Sequence, residues 1–343
     1  MSDFNFNTEH IAKKEHKCAI CGGIIENGTK YYRYSGKYDG YMYFFTCCPN
    51  CRKAFELYGK KSETIEDFIY NIQNELETYN IKPSKNISAL IKQYIAHKEK
   101  YNSSIGITEA SDPSFHLDIF DRLYVGNIII TKRLTKYLIN NLIKYKNKII
   151  LHCTCTGYGG TVVEPLVPAY DITYDKLKEL IEKGFPVSHI VLRVDPVIPT
   201  KKGIKLAKDV IEKFSDLNIT RVRWSAMDMY KHVKERFINK GIKIPYETFN
   251  ASSEDIMKAH DELKETCDKY NMSLETCGEG LFQGTPCLSQ KDIDILGLTD
   301  IVKLKGNKEQ RKTCSCPSNK KELIVGNKPT RCDNSCIYCY WKD

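Results

Sequence analysis

Apolar residues recur along this chain in two periods, and the change of period divides it into three stretches. In residues 61–116, Ile65, Phe68, Ile69, Ile72 and Leu76 share one helical face, and Leu90, Ile91, Tyr94 and Ile95 form a second, shorter stripe. Pro83 separates the two, so the pattern predicts an α-hairpin, followed by a polar linker from Asn102 to Pro113. Residues 117–343 alternate short apolar runs with striped segments. The runs predict strands at Leu123–Ile130, Ile149–Cys155, Ile190–Val194, Arg221–Trp224, Met272–Thr276, Ile301–Leu304 and Leu323–Val325. The striped segments predict a helix ending near Tyr145 and others at Tyr174–Lys183, Gly203–Phe214, Tyr230–Asn239, Ser253–Tyr270 and Lys291–Leu296, with Thr173 capping the second. Repeated β-α alternation implies parallel strands and right-handed crossovers. The fold class is therefore α/β, a partial or complete TIM-type barrel. In residues 1–60, the tyrosine-rich runs Tyr31–Tyr34 and Tyr41–Phe45 predict a small β-hairpin turning near Asp39 and Gly40.

No apolar run approaches the roughly 18 residues that span a bilayer, and the N-terminus lacks the apolar region of a signal peptide. No membrane partner is expected, and the cytoplasm is the expected compartment. That changes the meaning of the 15 cysteines. In a reducing compartment, clustered cysteines are metal ligands more readily than disulfides. The formal net charge of +9 favours an anionic partner such as DNA or RNA. A basic stretch, Lys303, Lys305, Lys308, Arg311, Lys312, Lys320, Lys321, Lys328 and Arg331, is either a solvated surface or a phosphate-facing one.

Cys18 and Cys21, then Cys48 and Cys51, form two C-x2-C knuckles, the pattern of a closed tetrahedral zinc site. Cys47 is a spare thiol able to replace Cys48, and Gly22-Gly23 lets the backbone turn around a metal. The site's minimal role is structural, since so small a module lacks a sufficient core. Exposed Tyr and Lys would add nucleic-acid contact.

Near the C-terminus, Cys332, Cys336 and Cys339 form a C-x3-C-x2-C triplet. Compact cysteine spacings of this kind hold Fe–S clusters, and three thiolates leave one iron of a cubane open. In TIM-type barrels function sits at the C-terminal ends of strands. Those ends carry Thr154, Cys155 and Thr156, then Arg193 and Asp195, Ser225 and Asp228, Glu275, Cys277 and Glu279, and Lys303 and Lys305. Each alone is as readily a structural hydrogen-bonding group; together they favour an active site, with Cys277, Glu275 and Asp228 as candidate catalytic residues. Cys314 and Cys316 belong to the same cluster, to a second metal, or to neither. Cys287 is a further candidate, Cys153 and Cys155 share one strand face, and Cys267 is a core residue of its helix.

The triplet, with Tyr338 before its last cysteine, resembles the cluster motif of radical S-adenosylmethionine enzymes. Residues from about 149 onward are similar to a radical-SAM-like family of unknown function whose cluster motif is C-terminal, often likened to spore photoproduct lyase and DNA-repair photolyase-like enzymes. The matching pieces are Thr156-Gly157-Tyr158 with Glu164-Pro165, Arg193 with Asp195-Pro196, and Ser225, Asp228 and Tyr230. They continue with Glu275-Thr276-Cys277, then Lys305, Asn307, Gln310 and Arg311 leading to Cys314, Cys316 and the triplet. The resemblance implies a 4Fe–4S cluster on Cys332, Cys336 and Cys339, S-adenosylmethionine on the open iron, and an electron donor such as flavodoxin or ferredoxin. Gly159, Gly160 and Glu164 would then hold the cofactor's amino-acid end, with Arg193, Asp195 and Ser225 reaching its ribose or carboxylate. A cluster motif after the strands implies a permuted barrel joining first strand to last, the strand ending at Cys155 lying beside the last. The expected organisation is a zinc-ribbon-like module at 1–60, a helical linker at 61–116 and a barrel at 117–343. The expected activity is radical chemistry on a nucleic-acid base, in repair or modification. Alternatives are a radical enzyme on a peptide or small molecule, a non-catalytic metal protein that binds nucleic acid, and a four-cysteine Fe–S redox sensor.

Overall fold

Alternation along the buried strands separates two packed layers. In the strand Ile149–Thr154, the side chains of Ile149, Leu151 and Cys153 join the helix-facing core, while Ile150 packs in the inner one. The architecture comes from a computed structural model, which describes residues 5–38, 41–59, 64–306, 314–324 and 331–343. The chain divides into two units, Met1–Asn102 and Ser103–Asp343.

The first unit contains β1 (Asn5–Ile11), β2 (His16–Lys17), β3 (Ile24–Ile25), β4 (Lys30–Tyr38), β5 (Tyr41–Cys47), α1 (Pro49–Tyr58), α2 (Ile65–Thr78) and α3 (Ile87–Asn102). β4 pairs antiparallel with both β1 and β5, and β2 pairs with β3. The Asp39-Gly40 turn expected between β4 and β5 lies outside the described residues. Thr64 and Asp67 form a reciprocal capping box that starts α2. Phe68, Ile72 and Leu76 of α2 and Leu90, Ile91 and Tyr94 of α3 are buried in one cluster, as their stripes predict.

The second unit contains β6 (Ile105–Ile107), β7 (Gly126–Thr131), α4 (Lys136–Lys144), β8 (Ile149–Thr154), α5 (Tyr170–Glu182), β9 (Ile190–Val197), α6 (Lys201–Phe214), β10 (Arg221–Ala226), α7 (Lys231–Asn239), α8 (Ser253–Lys269), β11 (Ser273–Thr276), α9 (Gln290–Ile295) and β12 (Lys320–Glu322). Among the described residues, seven parallel strands form one sheet in the order β11-β10-β9-β8-β7-β6-β12. This α/β arrangement is compatible with a partial TIM-type barrel. The last strand lies beside the unit's first, while β8, which leads into Cys155, lies between β7 and β9 and not beside the last strand.

Several boundaries differ from the sequence expectation. The supposed polar linker contains β6, whose three residues are too short to show a period. A Cβ at Gly106 would lie 2.3 Å from Asn127 Oδ1, so glycine there permits close packing inside the sheet. Ile301–Leu304 is not a strand, and the final strand falls three residues earlier than predicted, with Val325 outside the described residues. Thr173 does not cap α5. It sits one turn inside the helix, its hydroxyl donating back to the Ala169 carbonyl at 3.4 Å.

Inward-facing positions of β10 and β11 are charged. Arg221 donates to Glu275 Oε1 at 2.7 Å and to Asp292 Oδ1 at 2.8 Å, and Arg223 donates to Glu275 Oε2 at 3.1 Å. All four side chains are buried. Burial pushes the Glu275 carboxyl up, and Arg223 and Arg221 outweigh it, leaving it below the ordinary glutamate value. The pairing therefore stabilises fully above that ordinary value and is lost as pH falls through the depressed folded one. Glu275→Gln is expected to lower the unfolding free energy at neutral pH by about 3–5 kcal/mol. Denaturant titration should show the gap to wild type narrowing below about pH 4.3.

Candidate functional site

A cavity of about 660 Å³ opens at the C-terminal ends of the parallel strands, within the usual range for small-molecule sites. Each strand delivers a polar group to it: Glu109 after β6, Lys132 after β7, Thr154 ending β8, Arg193 and Asp195 on β9, Ser225 and Asp228 at the end of β10, Cys277 after β11, and Glu322 ending β12. Cys332, Cys336 and Cys339 line the same cavity, together with Asn334, Cys287, Cys314 and Cys316. The triplet and six of the predicted strand-end residues, Thr154, Arg193, Asp195, Ser225, Asp228 and Cys277, thus face one space, while Cys155, Thr156, Glu279, Lys303 and Lys305 do not line it.

The triplet loop is held from several sides. Asp112 accepts from Asn334 Nδ2 at 3.1 Å, Thr131 Oγ1 at 2.9 Å and the Lys132 amide at 2.8 Å. The Ile337 amide donates to the Val163 carbonyl at 3.0 Å. Lys132 Nζ donates to Glu164 Oε1 and to the Tyr338 hydroxyl, each at 2.9 Å, and that hydroxyl also donates to Glu164. Arg236 of α7 reaches the far side, donating to the carbonyls of Cys339 at 2.6 Å and Trp341 at 2.7 Å. Arg331 and Asp343 close the loop with an ion pair at 2.5 Å. Ser335, with φ of 55°, supplies the left-handed turn between the first two cysteines.

Burial pushes all three triplet thiols up, against the neighbouring charge of Lys132 on Cys332 and Cys336 and of Arg236 on Cys339. Burial also opposes the charge on Lys132, and Glu164 more than offsets it, so the ammonium is retained. Arg193 donates to Asp195 through Nε at 2.6 Å, and the Ser225 hydroxyl donates to the other oxygen of the same carboxylate. Asn250 Nδ2 donates to Asp228 Oδ1 at 3.0 Å. Glu109 is paired with Lys320 at 2.7 Å; burial first, then the charge of Cys287, pushes its carboxyl up to about 7.

Four expected site residues are placed differently. Glu275 does not line the cavity, because its carboxylate is consumed by Arg221 and Arg223. Gly159, Gly160 and Glu164 also lie outside the lining. A Cβ on Gly159 would meet the Pro168 carbonyl oxygen at 1.9 Å, and the Gly160 amide donates to the Glu164 and Val167 carbonyls, so this glycine turn serves close packing. Cys153, Cys155 and Cys267 are core residues with thiols pushed up by burial.

Sequence reasoning missed Glu109, Asp112, Lys132, Asn334 and Arg236, which lie in irregular segments or on a helix with no motif. It also missed His152, fully buried on β8 with neither ring nitrogen bonded, and held neutral by burial and then by Arg223 and Arg193. Of the basic stretch, Lys303 and Lys305 are exposed, while Lys320 is buried against Glu109. Lys308, Arg311, Lys312 and Lys328 lie outside the described residues, as do Asn307 and Gln310.

In the first unit, Cys18, Cys21, Cys48 and Cys51 bring their sulfurs within 4.8 Å of one another, a group able to hold one metal ion. The Cys21 and Cys48 sulfurs are 3.9 Å apart. Gly22 turns the first knuckle at φ of 70°, and Cys48 and Cys51 sit at the start of α1, where the helix dipole favours thiolates. Cys47 is buried with its thiol directed to the Cys48 carbonyl.

Fold and site together define an α/β protein with a cysteine-lined cavity at its strand ends. The chain belongs to the family described as a domain of unknown function, DUF1848, whose profile matches residues 121–341. No curated protein matches it. A solved structure described as an enolase protein from the environmental genome shotgun sequencing of the Sargasso Sea aligns at 8% identity, covering 87% of this chain and 82% of that one. Its TM-score is 0.22, too low to carry any argument about fold or function.

Because Arg236 bridges α7 to the last residues, Arg236→Ala is expected to release the triplet loop. Limited proteolysis should then cut within residues 331–343 at least about tenfold faster than in wild type, the change expected when about 1.4 kcal/mol of local stability is lost.

Proposed function

We propose that this protein is a radical S-adenosylmethionine enzyme. A 4Fe–4S cluster would be held by Cys332, Cys336 and Cys339, and the substrate would be a nucleic-acid base. The observation that carries the reading is the convergence of three triplet thiols with Thr154, Arg193, Asp195, Ser225 and Asn334 on one cavity at the strand ends. When bound, such a cluster with S-adenosylmethionine on its open iron supplies one electron for cofactor cleavage and a carbon radical for hydrogen abstraction.

The residues present fit that pair of groups. Three thiols from one short loop leave a cubane corner without a protein ligand. Thr154 Oγ1 and Asn334 Oδ1 are buried polar atoms without a hydrogen-bond partner, as expected of groups awaiting a ligand. Arg193 and Ser225 orient the Asp195 carboxylate, which is suited to accept from ribose hydroxyls. The charge of Lys132 beside Cys336 favours the thiolate over the thiol. Asp228, oriented by Asn250, stands at the cavity as the candidate proton-handling group.

The four cysteines of the first unit fit zinc. A Zn–S bond of about 2.3 Å gives a tetrahedron edge of about 3.8 Å, and Cys21 to Cys48 measures 3.9 Å. The nucleic-acid substrate is supported by the net charge of +9 and by the exposed Lys303 and Lys305.

After anaerobic reconstitution with iron and sulfide, dithionite and S-adenosylmethionine should yield 5′-deoxyadenosine. Cys336→Ala should reduce that product to the level seen without protein, and equal yields from the two proteins would refute the reading. Binding to a single-stranded oligonucleotide should weaken steeply with salt, and Lys303→Ala with Lys305→Ala should lower the slope of log K against log salt by about 1–2.

A further inference from the structure

Four cysteines outside the triplet line the same cavity. Cys277 follows β11, Cys287 precedes α9, and Cys314 and Cys316 lie ahead of β12. The Cys277 and Cys287 sulfurs are 3.7 Å apart. The Cys287 amide donates to Cys316 Sγ at 3.4 Å, and the Cys316 thiol interacts in turn with those of Cys287 and Cys314. The four form an arc, Cys277-Cys287-Cys316-Cys314, drawn from three separate chain segments.

We infer that Cys277, Cys287, Cys314 and Cys316 hold a second iron–sulfur cluster, distinct from any on the triplet and ligated by four protein thiolates. Three observations carry this. First, two buried thiols, Cys287 and Cys316, and two half-buried ones, Cys277 and Cys314, gather where Leu288, Ile293 and Val302 already supply apolar contacts. Second, the surroundings compensate thiolate charge. Arg193 Nη1 lies 3.9 Å from Cys287 Sγ, and Lys320 is buried close enough to feel the charges of Cys287 and Cys316. The amide-to-sulfur bond matches the one in the first unit, where the Cys48 amide donates to Cys18 Sγ at 3.4 Å. Third, the spread of the sulfurs differs from that of a single-ion site. The cysteines of the first unit all lie within 4.8 Å of one another, and among the described residues no three of this arc do. Neighbouring sulfurs 3.7 Å apart can share one iron, while the arc as a whole is too wide for one ion, as in a cluster held by four cysteines. With every iron held by protein, the cluster would serve electron transfer and not substrate binding.

The inference does not depend on the proposed reaction, and one variant separates the two. Cys332→Ser, Cys336→Ser and Cys339→Ser combined remove the triplet site. Purified anaerobically, this triple variant should retain iron and sulfide in equal amounts, with visible charge-transfer absorption. Adding Cys287→Ser should remove both. Adding Cys314→Ser, whose thiol is only half buried, should perturb the absorption while circular dichroism shows the fold intact. A triple variant without iron and sulfide would overturn the inference, as would one that held only zinc or whose iron was indifferent to Cys287→Ser and Cys314→Ser. Should wild type make no 5′-deoxyadenosine while the triple variant keeps its iron, the proposed reaction fails and this cluster stands.

Discussion

Charge buried inside a packed core must be paired there, and in this protein that constraint sets the geometry of everything above it. Arg221 and Arg223 project inward from β10 among residues that exclude water. Two carboxylates balance them, Glu275 from β11 and Asp292 from α9. Neither arginine can move without leaving an uncompensated charge, at a cost of several kcal/mol. The pairing therefore fixes where β11 and α9 lie against β10. Cys277 stands two residues beyond Glu275 on the same side of its strand, and Cys287 stands five before Asp292. The ion network thus delivers both thiols to the cavity, although none of its members lines that cavity except through these neighbours.

The triplet loop is an irregular segment. Its support comes from side chains distant in sequence. Asp112 holds Asn334 from the β6 side, Lys132 and Glu164 hold Tyr338, and Arg236 grips the backbone after Cys339. Arg236 is well suited to this, since its planar fork donates to two carbonyls at once and its Nε reaches Asp343 at 3.2 Å.

Those supports explain what was legible beforehand. The strands and helices showed in their periods because each buries a whole face, and the cysteine groups showed because thiol spacing is local. Thr154, Arg193, Asp195, Ser225 and Asp228 were legible as ends of recognisable strands. Glu275 sat two positions before Cys277 and looked equivalent, but only the pairing with the neighbouring strand reveals that Arg221 and Arg223 occupy it. Gly159 and Gly160 resembled a ligand cradle because a glycine turn has one appearance whether it approaches a cofactor or, as at Pro168, its own backbone. Asp112, Lys132 and Arg236 act across separations of 222, 206 and 103 residues, which no local pattern encodes.

The cavity's electrostatics then constrain what it can hold. Seven cysteines line it, and burial pushes the triplet thiols toward their protonated forms. Protonated, they are weak hydrogen-bonding groups and would leave Lys132 and Arg193 with Glu164 and Asp195 as their main counterions. Metal centres reverse that balance, because coordination replaces the thiol proton outright and spreads the resulting negative charge over several sulfurs. The cations already in position then face anionic clusters in place of neutral thiols. A centre on the triplet would have Lys132 beside it, and a centre on the proposed second site would have Arg193.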